Sequence, residues 1–206
     1  MSQIEVFADI ACPFAHAGIR TLIDERRNRG LTEPRLHVRA WPLEIVNGQP
    51  HSGPGLVEEV AAVRKAAPHL LGGFAPERFP ATTLPALRAE IAAYATGPVH
   101  GEAFSLAVRD ALWEHGLDVS DPEVLQHLAG GLGVELPDLG DDDIAAVRAD
   151  HAEGQQRGVV GSPHFFTSGG DFFCPMLDIT TDSADHMHVA FDRAGFDRVV
   201  AAAFTS

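Results

Sequence analysis

Residues 7–18, Phe7-Ala8-Asp9-Ile10-Ala11-Cys12-Pro13-Phe14-Ala15-His16-Ala17-Gly18, carry the chain from one periodicity into another. Before the cysteine, Ile4-Glu5-Val6-Phe7-Ala8-Asp9-Ile10 is short and rich in β-formers, which predicts a strand. After it the pattern turns helical and runs to Gly30. Pro13 suits the first helical turn, where its missing N–H would have no partner anyway, and Gly30 suits the stop. Cys12 is therefore expected at a helix N-terminus. Leu36-His37-Val38-Arg39-Ala40-Trp41 then alternates with period two, as a second strand would. If the two strands run parallel, the three elements make a βαβ unit.

Working outward, the stretch from Pro50 to about Asp150 is Ala-rich and helical, with no convincing strand. Helices are predicted over 55–67, 84–96, 99–115, 122–129 and 141–156. Ser120 with Glu123 reads as a capping box, and Asp141, Asp142 and Asp143 place negative charge where the last of these helices begins. Strand signals return at 163–167 and 172–173 around Ser168-Gly169-Gly170-Asp171, the pattern of a hairpin. Residues 189–191 read as one more strand. The closing helix, 192–204, carries Phe196, Val199, Val200 and Phe204 at helical spacing.

With 206 residues, 45% of them hydrophobic and 21% charged, the chain is expected to fold as one or two compact domains. Fifteen Lys and Arg against 29 Asp and Glu give a net charge of −14, which repels phosphate backbones and anionic lipid. Nucleic acid and membrane are thus excluded as expected partners. The opening residues show neither a basic stretch nor a long apolar run, so a cytoplasmic location is expected. Two cysteines, Cys12 and Cys174, are too few for a disulfide scaffold. His186-Met187-His188 places two imidazoles on one strand face, but no ligand set completes around them, and a solvent-exposed face is the expected reading. No metal is expected.

Three stretches together, residues 7–18, Gly158-Val159-Val160-Gly161-Ser162-Pro163-His164-Phe165-Phe166, and Phe172-Phe173-Cys174-Pro175, resemble the DsbA-like family of the thioredoxin-fold superfamily. That family also holds 2-hydroxychromene-2-carboxylate isomerases and kappa-class glutathione transferases. The resemblance implies an α/β thioredoxin fold built from residues 1–50 and 158–206, with a large all-helical insertion over 51–157. It implies that Cys12 and Pro13 face a cis-proline segment, Ser162-Pro163, with the Ser162 hydroxyl aimed at the thiol. Phe14 and Ala15 fill the two positions after Cys-Pro; Ala15 stands where DsbA-type oxidases carry a second cysteine, so the usual resolving thiol is missing. The helical block is expected to form a lid or a dimer surface, with a homodimer among the expected states.

A thiol at a helix N-terminus meets unpaired N–H groups and the positive end of the dipole, which can lower its pKa to roughly 3.5–7.5. Cys12 is expected to be such a nucleophile. His16, one turn on, reads as a polar surface residue or as a charge or proton donor beside it. Asp9 reads as a cap for the strand-to-helix junction or as a carboxylate acting on the thiol. Cys174 reads as simple packing or as a partner for Cys12. With one motif thiol, exchange needs a second thiol from elsewhere. No tightly bound cofactor is expected, and the expected partners are protein thiols and disulfides or a small thiol such as glutathione or mycothiol. Thiol–disulfide exchange is the leading reading. A small-thiol-dependent isomerase or transferase would show a basic pocket for the cofactor's carboxylates, and a non-catalytic binding module an unreactive, buried Cys12.

Overall fold

The computed structural model describes residues 4–138, 144–183 and 187–204. Strand β1 (Ile4–Ala8), helix α1 (Pro13–Asn28) and strand β2 (Leu36–Ala40) open the chain, and β1 and β2 pair in parallel with Val6 opposite Val38. Strands β3 (His164–Thr167) and β4 (Gly170–Phe173) form the hairpin, and β3 joins β1 antiparallel with Phe165 opposite Val6. The sheet order is β2-β1-β3-β4, so strands from both ends of the chain lie side by side. The closing helix α8 (Arg193–Phe204) packs beside β3.

Between β2 and β3 lie α2 (Leu43–Val46), α3 (Val57–Ala66), α4 (Leu84–Ala95), α5 (Pro98–Trp113), α6 (Pro122–Gly131) and α7 (Ala145–Gln156). Helix α1 ends where the pattern indicates: Gly30, at φ +67°, donates to the Arg27 carbonyl and Leu31 to that of Arg26, closing the last turn. One apolar core lies between the sheet, α1 and α8, with Val6, Leu22, Ile23, Val38, Phe165 and Val199 fully buried. A second core fills the helices, around Leu87, Phe104, Val108 and Trp113, and reaches under the sheet end through Ile10 and Ala40.

Several expectations are corrected. Helix α6 is capped by Asp121, whose side chain accepts from Glu123 N, while Ser120 turns back to Asp118; Pro122 at the first helical position shifts the start by one residue. The first strand stops at Ala8, because Asp9 begins the turn into α1. Strand β6 (Met187–Phe191) does not join the main sheet but pairs antiparallel with β5 (Leu177–Thr181), which the pattern did not single out, and the pair packs on α3. Asp141 to Asp143 and His186 lie outside the described residues. His188 sits exposed beside Asp182 at 3.1 Å, and among the described residues no cluster of His, Cys, Asp and Glu could hold a metal. No described helix is long and apolar enough to cross a membrane.

Candidate functional site

The end of β1, the start of α1 and the turn before β3 meet at one point, and Asp9 joins them. Its carboxylate, fully buried, accepts from the Ala11 amide at 2.9 Å, the Leu43 amide at 2.6 Å and the Thr83 hydroxyl at 2.7 Å, while its own amide donates to Ser162 Oγ at 2.9 Å. Of the two readings of Asp9, these contacts match the backbone cap: one carboxylate fixes the junction, the lead into α2 and the lead into α4.

Cys12 is the N-cap of α1 and Pro13 its first residue. The Ala15 amide donates to Cys12 Sγ at 3.4 Å, and the thiol donates to the Ser162 carbonyl at 3.2 Å. The Ser162–Pro163 peptide is cis. The next carbonyl, that of Pro163, accepts from the Cys174 amide at 2.9 Å, so this one segment touches both cysteine residues. Both cysteines are free thiols. Cys174 is buried at the end of β4 with φ +43°, a left-handed conformation uncommon for a residue with a side chain. Phe14 bridges the two cores, and Ala15 is fully buried.

The acidity of Cys12 runs opposite to expectation. Burial, at 4% exposure, pushes the thiol up to about 12; side-chain hydrogen bonding from Ser162 and the Ala15 amide pull the other way without prevailing, and the charges of Cys174 and Glu59 add to the rise. A helix N-terminus lowers a thiol's pKa when several amides and water reach the sulfur; here one amide does. Cys12 therefore rests protonated at neutral pH. Burial likewise pushes Cys174 up to about 12.

His16 is also corrected: it is 1% exposed, not on the surface, because α5 covers that face of α1. Its ring lies beside Trp113, with Nε2 2.7 Å from Glu114 Oε1, and burial lowers its pKa, so it brings no positive charge to the sulfur. Burial alone would raise Glu114, but His16 and the Leu71 and Gly72 amides outweigh it and hold the carboxyl at about 2. The pair ties the 71–72 turn to α1 and α5.

A cavity of about 300 Å³ opens over Cys12 and Pro13, and its outer wall comes from the chain between α2 and α3. Asn47, Gln49, His51, Ser52 and Glu59 supply its polar groups. No pattern in the sequence marks these residues, since their only relation to Cys12 is through the fold. Among the described residues the wall holds no Lys or Arg. That counts against the basic pocket expected of a carboxylate-bearing cofactor.

The architecture resembles that of several solved proteins. A 2-hydroxychromene-2-carboxylate isomerase superposes with TM-score 0.57 at 16% identity, over 82% of this chain and 87% of that one. The cytosolic disulfide reductase DsbM from Pseudomonas aeruginosa superposes with TM-score 0.58 at 16% identity, over 94% and 91%. The same reductase with glutathione (GSH) gives 0.51 at 18%, over 79% and 84%. At such identities the likeness is one of fold. No curated protein matches the sequence. The model of the DSBA-like thioredoxin domain, however, matches residues 3–192, nearly the whole chain, and with the βαβ start, the closing hairpin and helix, and Cys12 set against Ser162-Pro163, this chain belongs to the DSBA-like thioredoxin domain family.

Proposed function

We propose that the protein carries out thiol–disulfide exchange through Cys12 alone, with a low-molecular-weight thiol releasing the mixed disulfide. The observation that carries this reading is the placement of Cys12 Sγ: at the N-cap of α1, 3.2 Å from the carbonyl of the cis Ser162-Pro163 segment, and in the wall of a cavity that opens over the helix start. In the first step the Cys12 sulfur attacks one sulfur of a disulfide RSSR, forming Cys12–S–SR and expelling RS⁻, which takes up the proton the thiol gives up. In the second a thiol R′SH attacks the outer sulfur, forming R′SSR and returning Cys12 to the thiol. Because Cys12 rests protonated, docking in the cavity has to free the sulfur from Ser162 before attack. Turnover is then gated by the substrate.

A second reading has one observation of its own. A protonated Cys12 is a hydrogen-bond donor, able to hold the thiolate of a bound cofactor as a serine hydroxyl would, and this suits a small-thiol-dependent isomerase or transferase. Cys12→Ser separates the two. Under the exchange reading it abolishes mixed-disulfide formation and reduction of small disulfides. Full turnover in Cys12→Ser with a thiol cofactor would replace exchange with the second reading. A Cys12 that forms no adduct with any disulfide, with no thiol-dependent turnover, would leave a binding module.

A further inference from the structure

The cavity over Cys12 has a definite charge character. Glu59, half-buried on α3, makes no hydrogen bond or ion pair with any described residue, and burial raises its pKa. Asn47, Gln49 and Ser52 are uncharged. Among the described residues the basic side chain in the wall is His51, whose Nε2 turns toward the Thr83 hydroxyl at 3.3 Å and two carboxylates, Asp9 Oδ2 at 3.7 Å and Glu44 Oε1 at 3.9 Å. Arg26, Arg27 and Arg35 line a different cavity at the far end of α1, about 24 Å of helix away, where Glu102 and neighbouring acids pair them. A carboxylate entering beside Cys12 finds Glu59 and no Lys or Arg. An ammonium entering there finds an unpaired carboxylate.

We infer that the Cys12 site selects small disulfides and thiols that carry an amine and no carboxylate. This rests on the exchange reading and narrows its substrate class. The step is Cys12–SH + RSSR → Cys12–S–SR + RSH, with the proton leaving on the expelled thiol, and the amine of R set against Glu59. Three symmetrical disulfides of similar size separate the charge states: cystamine, a dication; bis(2-hydroxyethyl) disulfide, neutral; and 3,3′-dithiodipropionate, a dianion. The full chain is incubated with each at neutral pH, and the Cys12 adduct is followed by peptide mass spectrometry. Each rate is divided by that of the same disulfide with 2-mercaptoethanol, which removes intrinsic reactivity.

The expected order is cystamine, then the hydroxyethyl compound, then the dicarboxylate, with about tenfold or more between the ends, as unscreened charges a few ångströms apart produce. Glu59→Gln should compress that spread several-fold; the readout is the ratio between the disulfides, because loss of Glu59 also removes a charge that raises the Cys12 thiol and so shifts all three rates together. Raising the salt concentration should compress the spread in the unaltered protein, which keeps the test independent of how the variant folds. Adducts that form without this charge order, or a spread that neither Glu59→Gln nor salt reduces, overturn the selectivity alone. No adduct with any of the three overturns the exchange reading and the selectivity with it.

Discussion

The two ends of α1 handle buried polar groups in opposite ways. At the C-terminal end Arg26 is enclosed, and Glu102 meets it with both oxygens while also accepting from Arg35 at 3.0 Å and the Leu36 amide at 2.7 Å. Each acceptor site of that carboxylate is used, and the bonds tie α1 and α5 to the start of β2. At the N-terminal end the sulfur of Cys12 has one amide, the carbonyl and side chain of Ser162, and an open cavity. The saturated carboxylate holds the frame; on the exchange reading, the less-partnered thiol carries the chemistry. If that division is real, substitutions at one end should change stability without touching reactivity, and at the other end the reverse.

The largest effect is expected at Glu102. Glu102→Ala leaves Arg26 buried without its counter-charge, and breaking such a pair costs about 3–5 kcal/mol. Chemical denaturation should show that loss, while the Cys12 adduct rate, read well below the unfolding midpoint, stays within about twofold of the parent. A large fall in that rate in the still-folded variant would break the division between the two ends.

Next comes alkaline pH. Burial raises both thiols from 9.0 to about 12, so folding disfavours their ionisation. A group whose folded pKa is raised contributes stability that is fully present below its unfolded pKa and is lost as pH rises toward the folded one. Stability should therefore fall between about pH 9 and 12, by ~1.4 kcal/mol per thiol for each pH unit. The slope should lose one thiol's share in Cys174→Ser and both shares in the Cys12→Ser, Cys174→Ser double variant, measured by denaturation across that range; what remains in its upper part belongs to the buried Tyr94 hydroxyl, whose pKa burial also raises. At neutral pH, iodoacetamide should label Cys12 on the order of 1,000-fold more slowly than a free cysteine, since almost no thiolate is present.

This inverted acidity shows where the sequence stops being informative. Cys12-Pro13 and Gly30 mark the bounds of α1 because capping and termination are local chemistry, and the alternation in 36–41 marks β2 because strand faces have a fixed period. Residues 163–173 show their hairpin for the same reason. What surrounds the sulfur is not local. The cavity residues Asn47 to Ser52 and Glu59 stand far from Cys12 in sequence, and the burial that decides its pKa is produced by chain segments 30 to 150 residues away. His16 misleads for the same reason: its own neighbours say surface, but α5, some 100 residues later, covers it. The strand β5 is obscured because its alternation serves a two-stranded sheet lying on α3 and not the main sheet.

The smallest expected effect is at Ser162, and it bears most directly on the N-terminal end. Its hydroxyl oxygen accepts from the Asp9 amide at 2.9 Å, which leaves its own proton free for the Cys12 sulfur. Ser162→Ala removes both interactions but neither the cis peptide's carbonyls nor the Asp9 carboxylate contacts. Leaving the buried Asp9 amide unpaired costs about 1 kcal/mol, a modest fall by denaturation. The sulfur loses a donor that stabilises its thiolate, so its pKa should rise further and its alkylation, read in the alkaline range, should slow by roughly threefold, while Cys174 labelling is unchanged. Ser162→Thr keeps the hydroxyl and should recover most of the Cys12 rate. That recovery separates a hydroxyl acting on the sulfur from a turn that merely needs the right shape, because a purely structural role would favour the smaller Ala over the branched Thr in a site buried this deeply.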